Sequence, residues 1–286
     1  MNQVSFEPSI FRRDYNRRPF LVQHQLHRHP LMQLSSLREL ALRMERKQVI
    51  FRVGSVPVNA DFDRAHLTHP IAGTLEDALD NITTAGVAIT INTPETDPVY
   101  RVLIEEILAE IRALSDPMDP GMNWTAAYIF ISAPGSLTPY HMDREMNFLF
   151  QIQGSKSVSL WDGNDTSIMS DEDVERLFGE YVRPKYKEAA ASAAQQFELG
   201  PGLGVHHPFI APHLVRTCNE VSVSLAVTYR TRQTDRLADL HKVNYRLRRM
   251  GLHPTRAGVS PMRDSLKSSV LTPALRGARR LRGQRD

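Results

Sequence analysis

His141 and Asp143 stand two residues apart, and on a β-strand or at its end such residues point to the same side. Both can therefore aim at one ion while Met142 points away. A second imidazole would complete a set of two histidines and one carboxylate. That set leaves three coordination positions open and is the donor set of non-haem Fe(II) oxygenases, where the metal must still take a cosubstrate and O₂. The third ligand has to come from a neighbouring strand, so a large gap in sequence is expected. His213, seventy residues beyond Asp143, is the preferred candidate: Pro208 and Pro212 bracket the loop leading into it, and a strand from Ser222 to Tyr229 follows after a short turn at Cys218-Asn219-Glu220. His207 is the alternative third ligand, and His206 is a candidate for lining the pocket. A His-x-Asp pair alone recurs by chance, and a lone buried histidine is more often a hydrogen-bonded core residue. The surrounding pattern has to decide.

That pattern is one of short strands and tight turns. Tyr128 to Ser132 reads as a strand, Ala133-Pro134-Gly135-Ser136 as a turn, and Asn147 to Ile152 as a second strand closed by Gly154-Ser155. Lys156 to Trp161 then alternates with period two, placing Lys156, Val158 and Leu160 on one inward face. A buried lysine is costly unless it meets a negative partner, and a dicarboxylate would supply one. The plainer alternative is a solvent-facing lysine on an edge strand.

Taken as a set, His141, Asp143, Asn147, the Gly154-Ser155-Lys156 turn and His213 resemble the JmjC family of 2-oxoglutarate-dependent oxygenases. The likeness is to its smaller hydroxylase-type members, related to the asparaginyl hydroxylase of hypoxia-inducible factor, and it spans roughly residues 124 to 231. The resemblance implies a mainly β fold with flanking helices: a double-stranded β-helix, the cupin-like jelly roll. It implies Fe(II) held by His141, Asp143 and His213. It further implies 2-oxoglutarate gripped at its far carboxylate by Lys156 and Thr138, with Asn147 and, less directly, Tyr128 as further contacts. The activity implied is that of a dioxygenase that consumes O₂ and 2-oxoglutarate and hydroxylates an unactivated C–H bond of a protein side chain or small metabolite. Demethylation ranks below hydroxylation, because no chromatin-reading module accompanies the domain. The chain departs from the family before the distal histidine. Where Gly-Asp-x-x-Tyr/Phe-x-Pro is usual, Gly202-Leu203-Gly204-Val205-His206-His207-Pro208 lacks the acid and replaces the aromatic with His206.

Composition sets the outer bounds. The chain has 286 residues, 41% hydrophobic and 23% charged, an ordinary globular balance. The single Cys218 excludes an internal disulfide framework and any cysteine-based cluster, and fits a reducing cytoplasm. No secretory signal and no membrane span are read. Three regions are expected: residues 1–120, N-terminal α/β elements flanking the barrel; 121–232, the catalytic barrel; and 233–286, a basic helix followed, beyond Pro254, by a mobile tail rich in Arg, Ser, Gly and Pro. In the first, a helix is expected over Leu34–Lys47, strands at Val49–Val53 and Val87–Ile91, a helix capped by Thr74, and a long helix from Asp97-Pro98 to about Leu114 with Val102, Ile107 and Ile111 in the core. Glu105, Glu106 and Glu110 read as its solvated face, and His24, His27 and His29, in a polar loop, as surface groups or as supports behind a site residue. Ser170 to Gly179 reads as a helix, and Ala189 to Gln196 as a helix or mobile insert. A last helix, Thr234 to Met250, carries Leu237, Leu240, Val243 and Leu247 on one side; it either packs on the barrel or makes a homodimer. Residues 230–286 hold fifteen Lys or Arg against four acids, which allows an anionic partner or merely a solubilising tail. Two other functions compete with the oxygenase: a metal-binding cupin enzyme that uses no 2-oxoglutarate, and a non-catalytic regulatory or binding protein that works through its basic tail.

Overall fold

The computed structural model describes residues 2–271, and of Val270 and Leu271 only the backbone. Among these, twelve strands are β1 (Val4–Ser5), β2 (Leu21–His24), β3 (Val49–Val53), β4 (Val87–Asn92), β5 (Asn123–Ser132), β6 (Leu137–His141), β7 (Met146–Gln153), β8 (Lys156–Leu160), β9 (Gln195–Leu199), β10 (Leu203–His207), β11 (His213–Thr217) and β12 (Ser222–Arg230). Eight pair in the order β1-β2-β10-β7-β12-β5-β4-β3, and four in the order β6-β11-β8-β9. Every pairing is antiparallel. From β5 onward the chain changes sheet at almost every connection, the exception being β8 to β9. This winding is the double-stranded β-helix. β1 to β4 do not form a separate layer; they extend the large sheet at both ends.

The large sheet has a different partner on each face. Phe148, Phe150, Ile129, Ile131, Val223 and Leu225 belong to one buried apolar cluster with Leu103, Ile104, Ile107 and Ile111 of the Pro98–Ser115 helix. Leu149, Val205 and Ala226, on the opposite face, form a second, smaller cluster with Val158, Leu160 and Val215 of the small sheet. The Pro98–Ser115 helix starts where expected, with the Asp97 carboxylate accepting from the Val99 and Tyr100 amides. Val102, however, is 58% exposed, because the neighbouring Leu103 and Ile104 take the buried stripe. Glu110 is not merely solvated: it accepts from the Gln3 and Val4 amides and so anchors β1. His24 is likewise no surface residue; it is buried at the end of β2 and donates from Nε2 to the Leu203 carbonyl.

The 161–194 connection also differs from expectation. Ser170 caps a helix at Asp171–Glu180, but Gln195 and Gln196 open β9 and do not continue an Ala-rich helix. The last long helix, Arg232–Arg249, begins at a Thr231/Thr234 capping box and packs on this insertion. Arg248 forks onto Glu175 at 2.7 and 3.0 Å. The segment after Pro254, expected to be mobile, is pinned back there as well. Arg256 donates to the Gly163 and Asn164 carbonyls of the insertion, and within the segment itself Lys267 donates to the Thr255 carbonyl. The rest of the basic tail lies outside the described residues.

Candidate metal centre and cosubstrate pocket

The register of the small sheet assembles the centre. β6 ends at His141 and β11 begins at His213, and pairing sets the two residues opposite each other. Met142 turns into the core at 0% exposure, and Asp143 follows it just past the strand. Its carboxylate lies between the imidazoles, Oδ1 3.8 Å from His141 Nε2 and Oδ2 3.7 Å from His213 Nε2. One donor atom from each of the three residues falls within 4.8 Å of the others, a spacing that an ion at about 2.1 Å from each can close with small adjustments. Each histidine's Nδ1 donates to the carbonyl two residues before it: His141 to Pro139 at 2.7 Å, His213 to Ala211 at 3.0 Å. These bonds fix the tautomer and leave both Nε2 lone pairs facing the carboxylate.

The protonation states suit a cation. Burial, above all, keeps His141 and His213 neutral at ordinary pH. Burial works against the charge on Asp143, but the surrounding imidazoles and the Arg183 guanidinium outweigh it and hold the carboxyl well below its usual range. Neutral imidazoles and an ionised carboxylate are the forms in which these groups bind metal.

Strand alternation separates the two competing histidines. His207 faces the cavity with its ring 4.5 Å from that of His213, and both of its nitrogens are buried without partners. It stands outside the three-residue donor cluster. His206 does not line the pocket. As the next residue along β10 it points to the other face of the sheet, where Nδ1 meets the Asn147 carbonyl at 3.1 Å and Nε2 accepts from the Asn16 amide. Its ring packs on Tyr15 and Phe148.

Lys156 closes the opposite end. In β8, Leu160 pairs with His213 and Lys156 with Thr217, so the lysine starts four residues away from the donor cluster, about 13 Å of strand. It is 3% exposed and shares the inward face with Val158 and Leu160, which removes the edge-strand alternative. Its Nζ donates to Ser224 Oγ at 2.8 Å and lies 5.6 Å from the centre of the Phe130 ring, with no carboxylate of the described residues among its hydrogen-bond or ion-pair partners. Burial alone pushes the ammonium down to about 7. A cavity of about 420 Å³ joins both ends and is lined by Thr138, Tyr128 and Asn147 as well. Burial raises the Tyr128 hydroxyl to about 12, and the Asn147 Oδ1 is buried without a partner. The seven site residues read from sequence thus border one space. A buried ammonium without a counter-ion, facing a three-donor cluster along one cavity, fits an extended dicarboxylate bound to an ion at its other end.

Four contributors were not foreseen. Ser224 has a readable signal, since the Ser224, Ala226 and Thr228 face of β12 is small where the alternate face is bulky. Phe62, Asp63 and Arg183 have none. Phe62 stacks on His141 at 3.8 Å and 8°, and Arg183 lies over the Phe62 ring at 4.9 Å while donating to Asp143 Oδ1 at 3.3 Å.

Against solved structures the chain superposes on Escherichia coli YcfD. One structure of that protein matches with a TM-score of 0.53 at 15% identity, over 91% of this chain and 62% of the other. A second, described as the ribosomal oxygenase YcfD in complex with cobalt and 2-oxoglutarate, matches with a TM-score of 0.50 at 16% identity, over 95% of this chain and 67% of that one. The fold is shared. At such identity the likeness speaks to architecture alone, and the chain spans about 62% of the length of the first of these structures. No protein-family model and no curated protein matches the chain. No helix among the described residues is long and apolar enough to cross a membrane.

Proposed function

We propose that this protein is an Fe(II)- and 2-oxoglutarate-dependent dioxygenase that hydroxylates a C–H bond of a protein side chain or small metabolite. The observation that carries the reading is Lys156: a buried ammonium with no anionic partner among the described residues, in the same cavity as the His141–Asp143–His213 cluster. A cupin that needed only a metal would have no use for it. Bound iron and 2-oxoglutarate would supply the oxidising chemistry, coupling decarboxylation to succinate and CO₂ with transfer of one oxygen atom of O₂ to the substrate.

The chain's own residues supply placement. His141, Asp143 and His213 would hold the metal, and three protein ligands would leave room for cosubstrate and O₂. Lys156 would take the far carboxylate, and Thr138, Tyr128 and Asn147, which line the same cavity, would contact the cosubstrate. Phe62 and Arg183 cover the metal end and shield it from water. Kinship with the asparaginyl-hydroxylase branch rests on the motif residues, and the fold likeness to YcfD, a ribosomal oxygenase, makes a protein substrate the first to try. The half-buried, unpaired Cys218 is in keeping with a cytoplasmic location.

Purified protein given Fe(II), O₂ and 2-oxoglutarate should release succinate even without its primary substrate, at a slow uncoupled rate. In Lys156→Ala the loss of charge-assisted bonds of about 1.5–3 kcal/mol should weaken 2-oxoglutarate roughly 10- to 100-fold, read as a lost thermal shift. Absence of both succinate and any cosubstrate-dependent shift in the wild type would sink the assignment.

A further inference from the structure

Arg183 poses a problem for the metal centre: a guanidinium touching a ligand carboxylate repels the cation that the carboxylate is meant to hold. The contacts on its far side resolve it. Asp63 receives Arg183 Nε at 2.6 Å and Nη2 at 2.9 Å, a two-point fork that occupies the outer edge of the guanidinium. Only Nη1 is left facing inward, where it donates to the Met142 carbonyl at 2.5 Å and to Asp143 Oδ1 at 3.3 Å. The shorter of those two bonds holds the backbone just where β6 gives way to the ligand loop. The longer one leans on a single carboxylate oxygen and leaves Oδ2 toward His213.

Asp63 belongs to a segment that meets the centre twice. The preceding residue, Phe62, stacks on His141, and Asp63 reaches Asp143 through Arg183. A second tie joins the same two segments: the Tyr186 amide donates to Asn59 Oδ1 at 2.7 Å, and Asn59 Nδ2 donates to the Tyr186 carbonyl at 3.3 Å. The side chain of Asp63 is 53% exposed, against 21% for Arg183. An exposed ion pair on its own contributes little to stability, so stability is a weak reason for this one.

We propose that Asp63 is a positioning residue of the metal centre, cancelling the charge of Arg183 so that the guanidinium can orient Asp143 without expelling the cation. The proposal rests on the metal-site reading and adds to it a residue that touches no ligand, carried on a segment outside the jelly-roll strands.

The test uses the full chain and Mn(II) alone, titrated calorimetrically without cosubstrate. Asp63→Asn leaves an uncompensated positive charge 3.3 Å from a ligand oxygen and should weaken Mn(II) by about tenfold or more, the size of effect usual for groups that orient metal ligands. Asp63→Asn combined with Arg183→Gln removes that charge too and should recover at least about threefold of the loss relative to Asp63→Asn alone, since the two sites are coupled. Asn59→Ala breaks the neutral tie between the same segments and should leave affinity within about threefold of wild type, as surface changes away from the centre do. Should the double variant bind more weakly than Asp63→Asn, the clasp is purely structural and the proposal fails. An Asp63→Asn variant that binds Mn(II) like the wild type overturns it as well. A wild type that binds no Mn(II), with His213→Ala no different, instead overturns the metal-site reading and takes the proposal with it.

Discussion

The two faces of the large sheet are made by the same strands and do different work. Toward the helices, β5, β7 and β12 present Ile129, Ile131, Phe148, Phe150, Ile152, Val223, Leu225, Val227 and Tyr229, none more than 3% exposed. Toward the small sheet the alternate residues are Tyr128, Phe130 and Ser132, then Asn147, Leu149 and Gln151, then Ser224, Ala226 and Thr228. The first face fills space with large apolar side chains and carries the packing energy. The second leaves space: small residues on β12 stand opposite the longer ones of β7, with Ala226 paired to Leu149 and Thr228 to Asn147. A pleated strand keeps the two sets apart because successive side chains never share a side. Stability and chemistry can then be altered separately, one residue apart.

The sharpest way to break that comparison is to cut into each face in turn. On the inner side, His141→Ala should abolish metal binding and succinate formation while the protein melts within a few degrees of wild type, because the imidazole's packing is local and its ligand role is not. A large loss of melting temperature together with the activity would show that the inner face also holds up the fold. On the outer side, Phe148→Ala empties a ring surrounded by Phe6, Phe11, Phe20 and Tyr229 and should cost about 3–5 kcal/mol in denaturant unfolding. The fraction still folded should bind Mn(II) normally. Metal affinity that falls in proportion to stability would mean that the faces are not separable.

Much of the inner face was legible in the sequence because strand alternation is a local code. Lys156, Val158 and Leu160 could be read as one face, and His141 and Asp143 as neighbours, from spacing alone. The same code separates His206 from His207, and applying it there would have turned His206 away from the pocket. What escaped the reading lies where no periodicity runs. Asp63 and Arg183 sit in irregular segments 120 residues apart, and only the folded chain brings them together. β9 was hidden because Gln195 and Gln196 follow an alanine-rich run, and a half-exposed strand carries too few apolar residues to mark itself. Val102 was misplaced within a helix otherwise well delimited: its flanks offer Leu103 and Ile104, and one residue of rotation is about 100° of helix face. The segment after Pro254 looked mobile by composition, yet a few arginine-to-carbonyl bonds onto the insertion hold its described part.

The smallest expected effect tests the comparison at its least stable point, where the inner face buries a charge. Lys156 has a folded-state value near 7, far below its ordinary value, because burial disfavours the ammonium and Ser224 is a neutral partner. Below that value the native state keeps the proton and bears the full penalty. Between about pH 7 and the ordinary lysine value the unfolded chain binds the proton that the native chain has lost, so this group makes stability rise with pH across the window and level off above it. Lys156→Met lacks that contribution. Without ligands the variant should therefore be more stable than wild type at pH 7, by roughly 1–4 kcal/mol, the size of gain seen when buried ion pairs give way to apolar groups of similar volume. The gap should narrow steadily toward pH 10. Saturating 2-oxoglutarate with Mn(II) should reverse the order, because only the wild type gains the ion pair that its cavity lacks. Paired denaturant titrations of both proteins at several pH values measure the gap directly. A variant less stable than wild type at pH 7, or a gap that ignores pH, would mean that Lys156 is satisfied within the protein itself, and the case for an anionic cosubstrate would lose its main support.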